Sequence, residues 1–423
     1  MKILIRGAGF QNKGAEAMLK ATVQLLGMRV PGATFYSTVT AQEARYAYIS
    51  GVSPIFKRPT KYATILSMLP CLLPLYEYML SRKKPDFARA VKTHKQAAYE
   101  IATTGAVDAV VDVSGFLYGD TWGPNWCKYA WPWVEYCAKA RKPYVFLSQA
   151  WGPFENTEVA YWVAKFCNAA ALVTSRDHIS SQFLARICDV ETCNIQETPD
   201  VAFCFQGGNR ITAEHTLRGL GLEQDRPLIG LVPNMKVYER TEGIGADNTY
   251  ISLLTKLANQ CIDRFDANIL LAPNQINVPG NSAPDDRFLC SMVVNRIQQR
   301  ARCFVLRDYL SSETIKAVLG QLDLLVSSRF HSLVFALSQG VPVIALGWSH
   351  KYQELLREFG LENSVIDHES LNTDKAMTLI QHSIKDRDNI IHDIKKALPS
   401  IQDKVNALFD SVANILKKAE TTQ

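Results

Sequence analysis

Residues 2–7, KILIRG, form a short apolar run ending in glycine, and Ala15, Met18, Leu19, Ala21, Val23 and Leu26 then return at helical spacing. This predicts a buried strand followed by a helix over Lys13–Val30, and the same alternation recurs down the chain. Further strands are expected at Ala33–Val39, Ala109–Val113, Tyr144–Ser148 and Leu172–Thr174, with helices at Trp126–Ala140, Glu155–Ala170 and His178–Ile187. After a polar, glycine-containing stretch, a second series begins. Its strands are expected at Leu228–Val232, Asn268–Ala272, Cys303–Leu306, Leu324–Val326 and Val341–Leu346, with helices at Thr249–Arg264, Asp285–Gln299, Ser311–Leu319 and Leu333–Gln339. The tail from Asn372 to Lys418 reads as helix with two or three breaks. Continuous apolar strands alternating with helices mean parallel sheets covered on both faces. The expected fold is α/β: two doubly wound Rossmann-like domains facing a cleft. The domains are 1–205 and 227–370, with a linker region at 206–226 and a helical tail at 371–423.

One apolar stretch does not fit the alternation. Tyr62–Leu80 lies within an excursion at 57–84 and has Lys57, Arg58 and Lys61 before it and Arg82, Lys83 and Lys84 after it. Pro70, Pro74 and Glu77 interrupt it, which disfavours a spanning helix. Three roles stay open for it: packing on the first domain, an oligomer contact, or a patch resting on lipid with its basic flanks at headgroups.

Composition narrows the picture further. The chain has 423 residues, enough for two domains, and 47% hydrophobic residues, enough for two cores. The net charge of +5 is too small to indicate nucleic acid and suits an anionic substrate or membrane surface. Ten cysteines show neither a disulfide framework nor a zinc spacing and read as reduced core residues of a cytosolic protein. No signal peptide is read at the N-terminus. No metal site emerges, and Asp285 and Asp286 read as charges at a helix N-terminus.

In doubly wound sheets ligands bind outside the carboxyl ends of the strands, so the chemistry should stand just after each strand. After the first comes GAGFQNKGAEA, where Asn12, Gly14 and Glu16 accompany a glycine turn and a helix N-terminus suited to a phosphate or a sugar hydroxyl. Glu16 is either a helix-dipole partner or a polar group aimed at an acceptor. After AVVDVSG come Tyr118, Trp122 and Trp126 beside Asp120 and Asn125, a set that suits a carbohydrate pocket and equally suits a core. Gln149 and Trp151 follow YVFLS. Arg176 precedes a helix start, where a cation is unfavourable unless an anion sits between the two; a surface arginine paired with Asp177 is an equal reading. The strongest cluster is LLVSSRFHSLVFALSQGVPVIALGWSHKYQE: Arg329, Phe330 and His331 end one buried strand, and His350 and Lys351 end the next. A guanidinium fork suits carboxylate or phosphate, and an imidazole can shuttle a proton.

These motifs, in this order, resemble the polysaccharide pyruvyl transferase family. The resemblance runs from FQNKGAEAML through VVDVSGF, LSQAWGPF, SRDHIS and TPDVAF to SSRFHSLVFALSQGVPVIALGWSHKY and covers most of the chain. It implies two Rossmann domains in a GT-B-like arrangement. It also implies transfer of a pyruvyl unit from phosphoenolpyruvate to a sugar, forming a ketal across two hydroxyls. Residue by residue, it implies that Arg176, Arg329, Phe330, His331 and Lys351 bind phosphoenolpyruvate, with His331, Arg329 and Lys351 catalytic. Acceptor contacts are expected from Asn12, Gly14, Glu16, Tyr118, Asp120, Gln149 and Trp151. The chain departs from the family at Gly14-Ala15-Glu16, where many members carry Gly-Asp-Glu or Gly-Asp-Ala. The resemblance implies no cofactor besides phosphoenolpyruvate as co-substrate and a saccharide partner, either free or lipid-linked. It places the protein in the cytoplasm or against the inner face of the cell membrane; homo-oligomerisation stays open. The rival readings are a GT-B-like glycosyltransferase with a nucleotide-sugar donor and a catalytically silent carbohydrate-binding scaffold.

Overall fold

The computed structural model describes residues 1–56, 107–189, 193–223, 225–277 and 285–421. The apolar run 62–80, with the excursion 57–84 around it, lies outside these residues. The described strands form two sheets. The first contains β1 (Lys2–Arg6), β2 (Thr34–Val39), β3 (Val52–Phe56), β4 (Ala109–Asp112), β5 (Tyr144–Gln149), β6 (Leu172–Ser175) and β7 (Ile195–Glu197), in the order β3-β2-β1-β4-β5-β6-β7. The second contains β8 (Leu228–Val232), β9 (Asn268–Leu271), β10 (Cys303–Val305), β11 (Leu324–Ser327), β12 (Val343–Gly347) and β13 (Val365–Asp367), in the order β10-β9-β8-β11-β12-β13. Every pairing is parallel. Both sheets are doubly wound, with strand order reversing beside β1 in one and beside β8 in the other.

Burial explains which strands the apolar pattern predicts. β4, β5, β6, β8, β9, β11 and β12 are buried at every position. Three strands were not anticipated: β3, β7 and β13. All are edge strands, β7 and β13 are only partly buried, and β3 contains Pro54, which a sheet tolerates at its edge. The tail is also more continuous than its sequence suggests. Helix Thr373–Lys385 is followed after Asp386 by helix Arg387–Thr421, with Pro399 inside it.

The chain separates into two compact units: Met1–Ala8 with Val23–Thr198 and Leu408–Gln423, and Gly9–Thr22 with Pro199–Ala407. The seven-stranded sheet belongs to the first and the six-stranded sheet to the second. A single cut at 206–226 does not reproduce this division, because the turn after β1 and the start of the following helix belong with the second sheet. Nor is 206–226 all irregular: Asn209 caps helix Arg210–Gly219 through a bond from the Thr212 amide.

Helix Thr249–Phe265 illustrates how the second core is made. Its buried Tyr250, Leu253, Leu254, Leu257, Ala258, Cys261 and Ile262 follow a helical stripe. Each large aliphatic side chain so buried contributes roughly 1.5–3 kcal/mol. Fully buried Asn248 starts the helix, accepting from the amides of Tyr250 and Ile251 while its Nδ2 donates to the carbonyls of Tyr238, Thr241 and Gly243. Asn248→Ala removes a cap and leaves loop carbonyls without their donor. It is expected to lower stability by about 2 kcal/mol, read as a lower urea midpoint with an unchanged m value.

Candidate functional site

The second sheet's strand order reverses between β8 and β11, which pair directly. At the end of β11 the segment Ser327–His331 turns into helix Phe330–Leu337. The turn is pinned from three sides. The Ser328 carbonyl accepts from Asn234 Nδ2 at 2.8 Å and from the Tyr352 hydroxyl at 2.7 Å, and Tyr250 donates its hydroxyl to Ser328 Oγ at 2.7 Å. Burial pushes the Tyr250 phenol up, which keeps it a donor. The Arg329 amide donates to Ser327 Oγ at 2.9 Å. Arg329 occupies the N-cap position but gives the helix no side-chain cap.

The Arg329 guanidinium meets a carboxylate with no solvent exposure. Its Nη2 donates to Asp286 Oδ1 at 2.5 Å. Asp286 Oδ2 accepts from the amides of Asn274 and Gln275 at 3.2 and 2.8 Å. Asp286 is therefore more than the helix-terminal charge its sequence context suggests. Breaking such a buried pair by removing one partner typically costs about 3–5 kcal/mol. Arg329 Nε is buried and has no hydrogen-bond acceptor among the described residues, so one donor of the fork is open to a ligand there.

His331 lies against the start of helix Lys13–Arg29. A Cβ added at Gly14 would come within 2.0 Å of His331 Cγ and 2.1 Å of Nδ1, so this position has no room for a side chain. On the other ring nitrogen, His331 Nε2 lies 3.5 Å from Asp200 Oδ2, within ion-pair range but without hydrogen-bond alignment. Asn12 Oδ1 caps the helix by accepting from the amides of Gly14 and Ala15 at 3.0 and 3.2 Å. The residues after β9 hold this segment: the Lys13 amide donates to the Asn274 carbonyl, and Asn12 and Gln275 form an antiparallel bridge.

Glu16 does not offer its carboxylate to an acceptor. Oε2 pairs with Lys13 at 2.9 Å, and Oε1 pairs with Lys20 at 2.6 Å and receives the Ser312 amide and hydroxyl, both at 3.2 Å. It bridges two buried lysines, Lys20 also pairing with Glu313 at 2.7 Å, and receives the first amide of helix Ser312–Leu319, whose N-cap is Ser311. Burial lowers the Lys13 pKa against the pull of Glu16.

Lys351 begins helix Lys351–Arg357 after β12. Its ammonium stands 4.1 Å from the Trp348 ring centroid, 5.5 Å from Tyr352 and 6.0 Å from Phe330. Phe330 and Tyr352 pack edge to face at 6.2 Å, so an aromatic bridge joins the ends of β11 and β12. Arg329 and Lys351 thus place two cations at helix N-termini, where the helix dipole opposes them and a bound anion would offset it.

The remaining expected residues lie in the first unit. Arg176 is buried after β6 and precedes helix His178–Ala185, which Asp177 caps. Tyr118 and Trp151 are core residues: their rings stack at 5.8 Å, and the Trp151 indole N–H donates to the Thr174 carbonyl. Neither ring is offered to a sugar. Tyr118 and Tyr144 both donate at 2.7 Å to Asp112 Oδ2, and burial, reinforced by Asp112, raises both phenols so that they stay protonated. Gln149 Nε2 donates to the Asp112 carbonyl at 3.1 Å, while its buried Oε1 has no hydrogen-bond donor. Asp120 Oδ2 accepts from the Glu155 and Asn156 amides and holds the loop that follows β5.

The sequence gives Asp200, Asn234 and Tyr250 no role, and gives Asp286 only that of a helix-terminal charge. The TPDVAF motif was the available signal for Asp200; the other three are tied to the site only by contacts distant in sequence. Among the described residues no group of three or more His, Cys, Asp or Glu is placed to hold a metal ion. No described helix is long and apolar enough to cross a membrane.

Comparison with known proteins places this geometry in context. The family model for polysaccharide pyruvyl transferase matches residues 12–350. The amylovoran biosynthesis protein AmsJ of Erwinia amylovora is 20% identical over 297 residues, covering 69% of each chain. Among solved structures, Anabaena HepE in complex with UDP-glucose aligns with a TM-score of 0.58 at 14% identity over 100% of both chains. UDP-GlcNAc 2-epimerase from Neisseria meningitidis bound to UDP-GlcNAc aligns with a TM-score of 0.57 at 10% identity, again over 100% of both. At such identities these two structures speak for the GT-B-like fold alone.

Two glycines of one helix test the His331 packing. Gly14→Ala is expected to lower the melting temperature, by the equivalent of about 1–3 kcal/mol, because the new methyl must displace the imidazole. Gly27 is exposed, and the nearest atom to an added Cβ is 3.9 Å away. Gly27→Ala should therefore be neutral or stabilising by up to about 1 kcal/mol through helix propensity. Equal effects of the two substitutions would contradict this placement of His331.

Proposed function

The chain belongs to the polysaccharide pyruvyl transferase family, and from that premise we propose that it moves a pyruvyl group from phosphoenolpyruvate to a sugar of a polysaccharide or of its lipid-linked precursor. The product is a pyruvate ketal, and phosphate is released. The observation that carries this reading is the pair of cations at the ends of β11 and β12. Arg329 keeps a buried guanidinium donor without an acceptor among the described residues, beside a helix N-terminus with no side-chain cap, and Lys351 is nine-tenths buried at the start of the next helix. Phosphoenolpyruvate brings a carboxylate and a phosphate, a match for fixed cations and helix amides.

The proposed chemistry uses these groups in turn. His331 in its protonated form gives its proton to the methylene carbon, leaving an oxocarbenium-like centre at the adjacent carbon. A sugar hydroxyl attacks that carbon, and its proton returns to the imidazole. The bond from the carbon to the phosphate oxygen then breaks. Arg329 and Lys351 offset the charge on the departing phosphate. A second hydroxyl closes the ketal, and its proton leaves with phosphate. Phe330 would line the donor pocket. Arg176 joins the donor set on the family resemblance alone, and phosphoenolpyruvate acts as a co-substrate with no resident cofactor invoked.

Asn12 and Gly14 remain in the proposal as backbone and shape around His331. A cytoplasmic location with peripheral contact at the inner face of the cell membrane belongs to the same proposal and rests on the basic-flanked run 62–80. With phosphoenolpyruvate and a panel of lipid-linked oligosaccharides, the wild type is expected to release phosphate in step with a pyruvyl mass gain on the acceptor. His331→Ala should lose at least about 100-fold in turnover while still binding phosphoenolpyruvate. Phosphate release at the wild-type rate by that variant would remove His331 from the mechanism.

A further inference from the structure

We propose that Asp200 is the positioning residue for His331, holding the imidazole through Nε2 so that the transferable proton is carried on Nδ1. The inference rests on the pyruvyl-transfer reading for its chemistry, but the contact itself is a property of this chain.

Three observations converge. First, the imidazole has little freedom. The Gly14 backbone closes one side of the ring, where even a methyl would overlap Cγ and Nδ1, and Phe330 stands edge-on with ring centroids 5.3 Å apart. Second, the Asp200 side chain is 1% exposed and divides its oxygens between two tasks. Oδ1 accepts from the Ala202 amide at 2.9 Å, capping the short turn Val201–Cys204, while Oδ2 faces His331 Nε2 at 3.5 Å. The cap fixes the carboxylate, and the fixed carboxylate selects which ring nitrogen carries the inward hydrogen. Third, the contact lies within ion-pair range and is long for a hydrogen bond, as catalytic contacts often are before substrate is bound.

The arrangement separates the two nitrogens by function. Nε2–H points to Asp200 and stays there in both protonation states. Nδ1 then gains and loses the proton that moves between the phosphoenolpyruvate methylene and the sugar hydroxyl. The sequence offers no spacing signal for the pair, since TPDVAF and SSRFHS lie far apart along the chain.

Asp200→Asn is the informative variant, because the amide oxygen can keep the cap at Ala202 while the acceptor facing His331 is lost. The expected result is a fall in kcat of about 100-fold, with the phosphoenolpyruvate dissociation constant and the melting temperature close to wild type. Asp200→Glu, which restores a carboxylate, should recover part of that loss. A reaction-free readout accompanies the kinetics: in nitrogen-labelled-histidine NMR, the ring resonance that vanishes in His331→Ala should move in Asp200→Asn before any substrate is added. The proposal is overturned if that resonance stays in place, or if Asp200→Asn keeps wild-type kcat. It is equally overturned if kcat, donor affinity and melting temperature fall together, which marks a purely structural role. A wild type that never releases phosphate from phosphoenolpyruvate would defeat the functional reading, while the resonance shift would still decide the contact.

Discussion

Arg329 can hold its position only because a carboxylate is buried against it. Asp286, with no solvent exposure, fixes one end of the guanidinium and is itself held by two backbone amides of the loop after β9. Burying either charge alone would be strongly unfavourable, so the pair forms together or the turn after β11 does not form as seen. The consequences spread outward. The loop that anchors Asp286 also grips the start of helix Lys13–Arg29, and that helix start presents Gly14 to His331. The guanidinium, the imidazole and the glycine motif near the N-terminus therefore depend on one another, although they come from three distant parts of the sequence.

This coupling explains why Gly9–Thr22 belongs with the six-stranded sheet. Glu16, an apparent candidate for touching a sugar, bridges Lys13 and Lys20 and accepts from the Ser312 amide. Its carboxylate fastens the segment to the second unit, which in turn keeps the backbone at Gly14 close to the ring.

Much of the fold could be read from the chain because the central strands are apolar on both faces and the helices between them are striped. Three of the four edge strands could not: Ile195–Glu197 and Val365–Asp367 are only partly buried, and Val52–Phe56 carries a proline, so none shows an apolar run. In the candidate site, Arg329 and Lys351 draw notice in the sequence because cations standing directly after buried strands need a reason to be there, and His331 stands two residues after Arg329. Asp286 does not, since a carboxylate at a helix start looks the same whether it faces water or a buried guanidinium. Tyr118 and Trp151 mislead for the converse reason: aromatic rings after a strand suit a sugar pocket, but here they stack on one another in the core.

The central claim is that the cations at the ends of β11 and β12 are arranged for phosphoenolpyruvate, whereas the solved structures of similar fold named above hold UDP-sugars. Thermal denaturation of the wild-type protein in increasing phosphoenolpyruvate, with UDP-glucose in parallel, tests this most directly. A ligand that binds only the folded state raises the midpoint in proportion to the logarithm of its concentration above its dissociation constant. The account predicts such a rise with phosphoenolpyruvate and none with UDP-glucose; protection by UDP-glucose with none by phosphoenolpyruvate would contradict it.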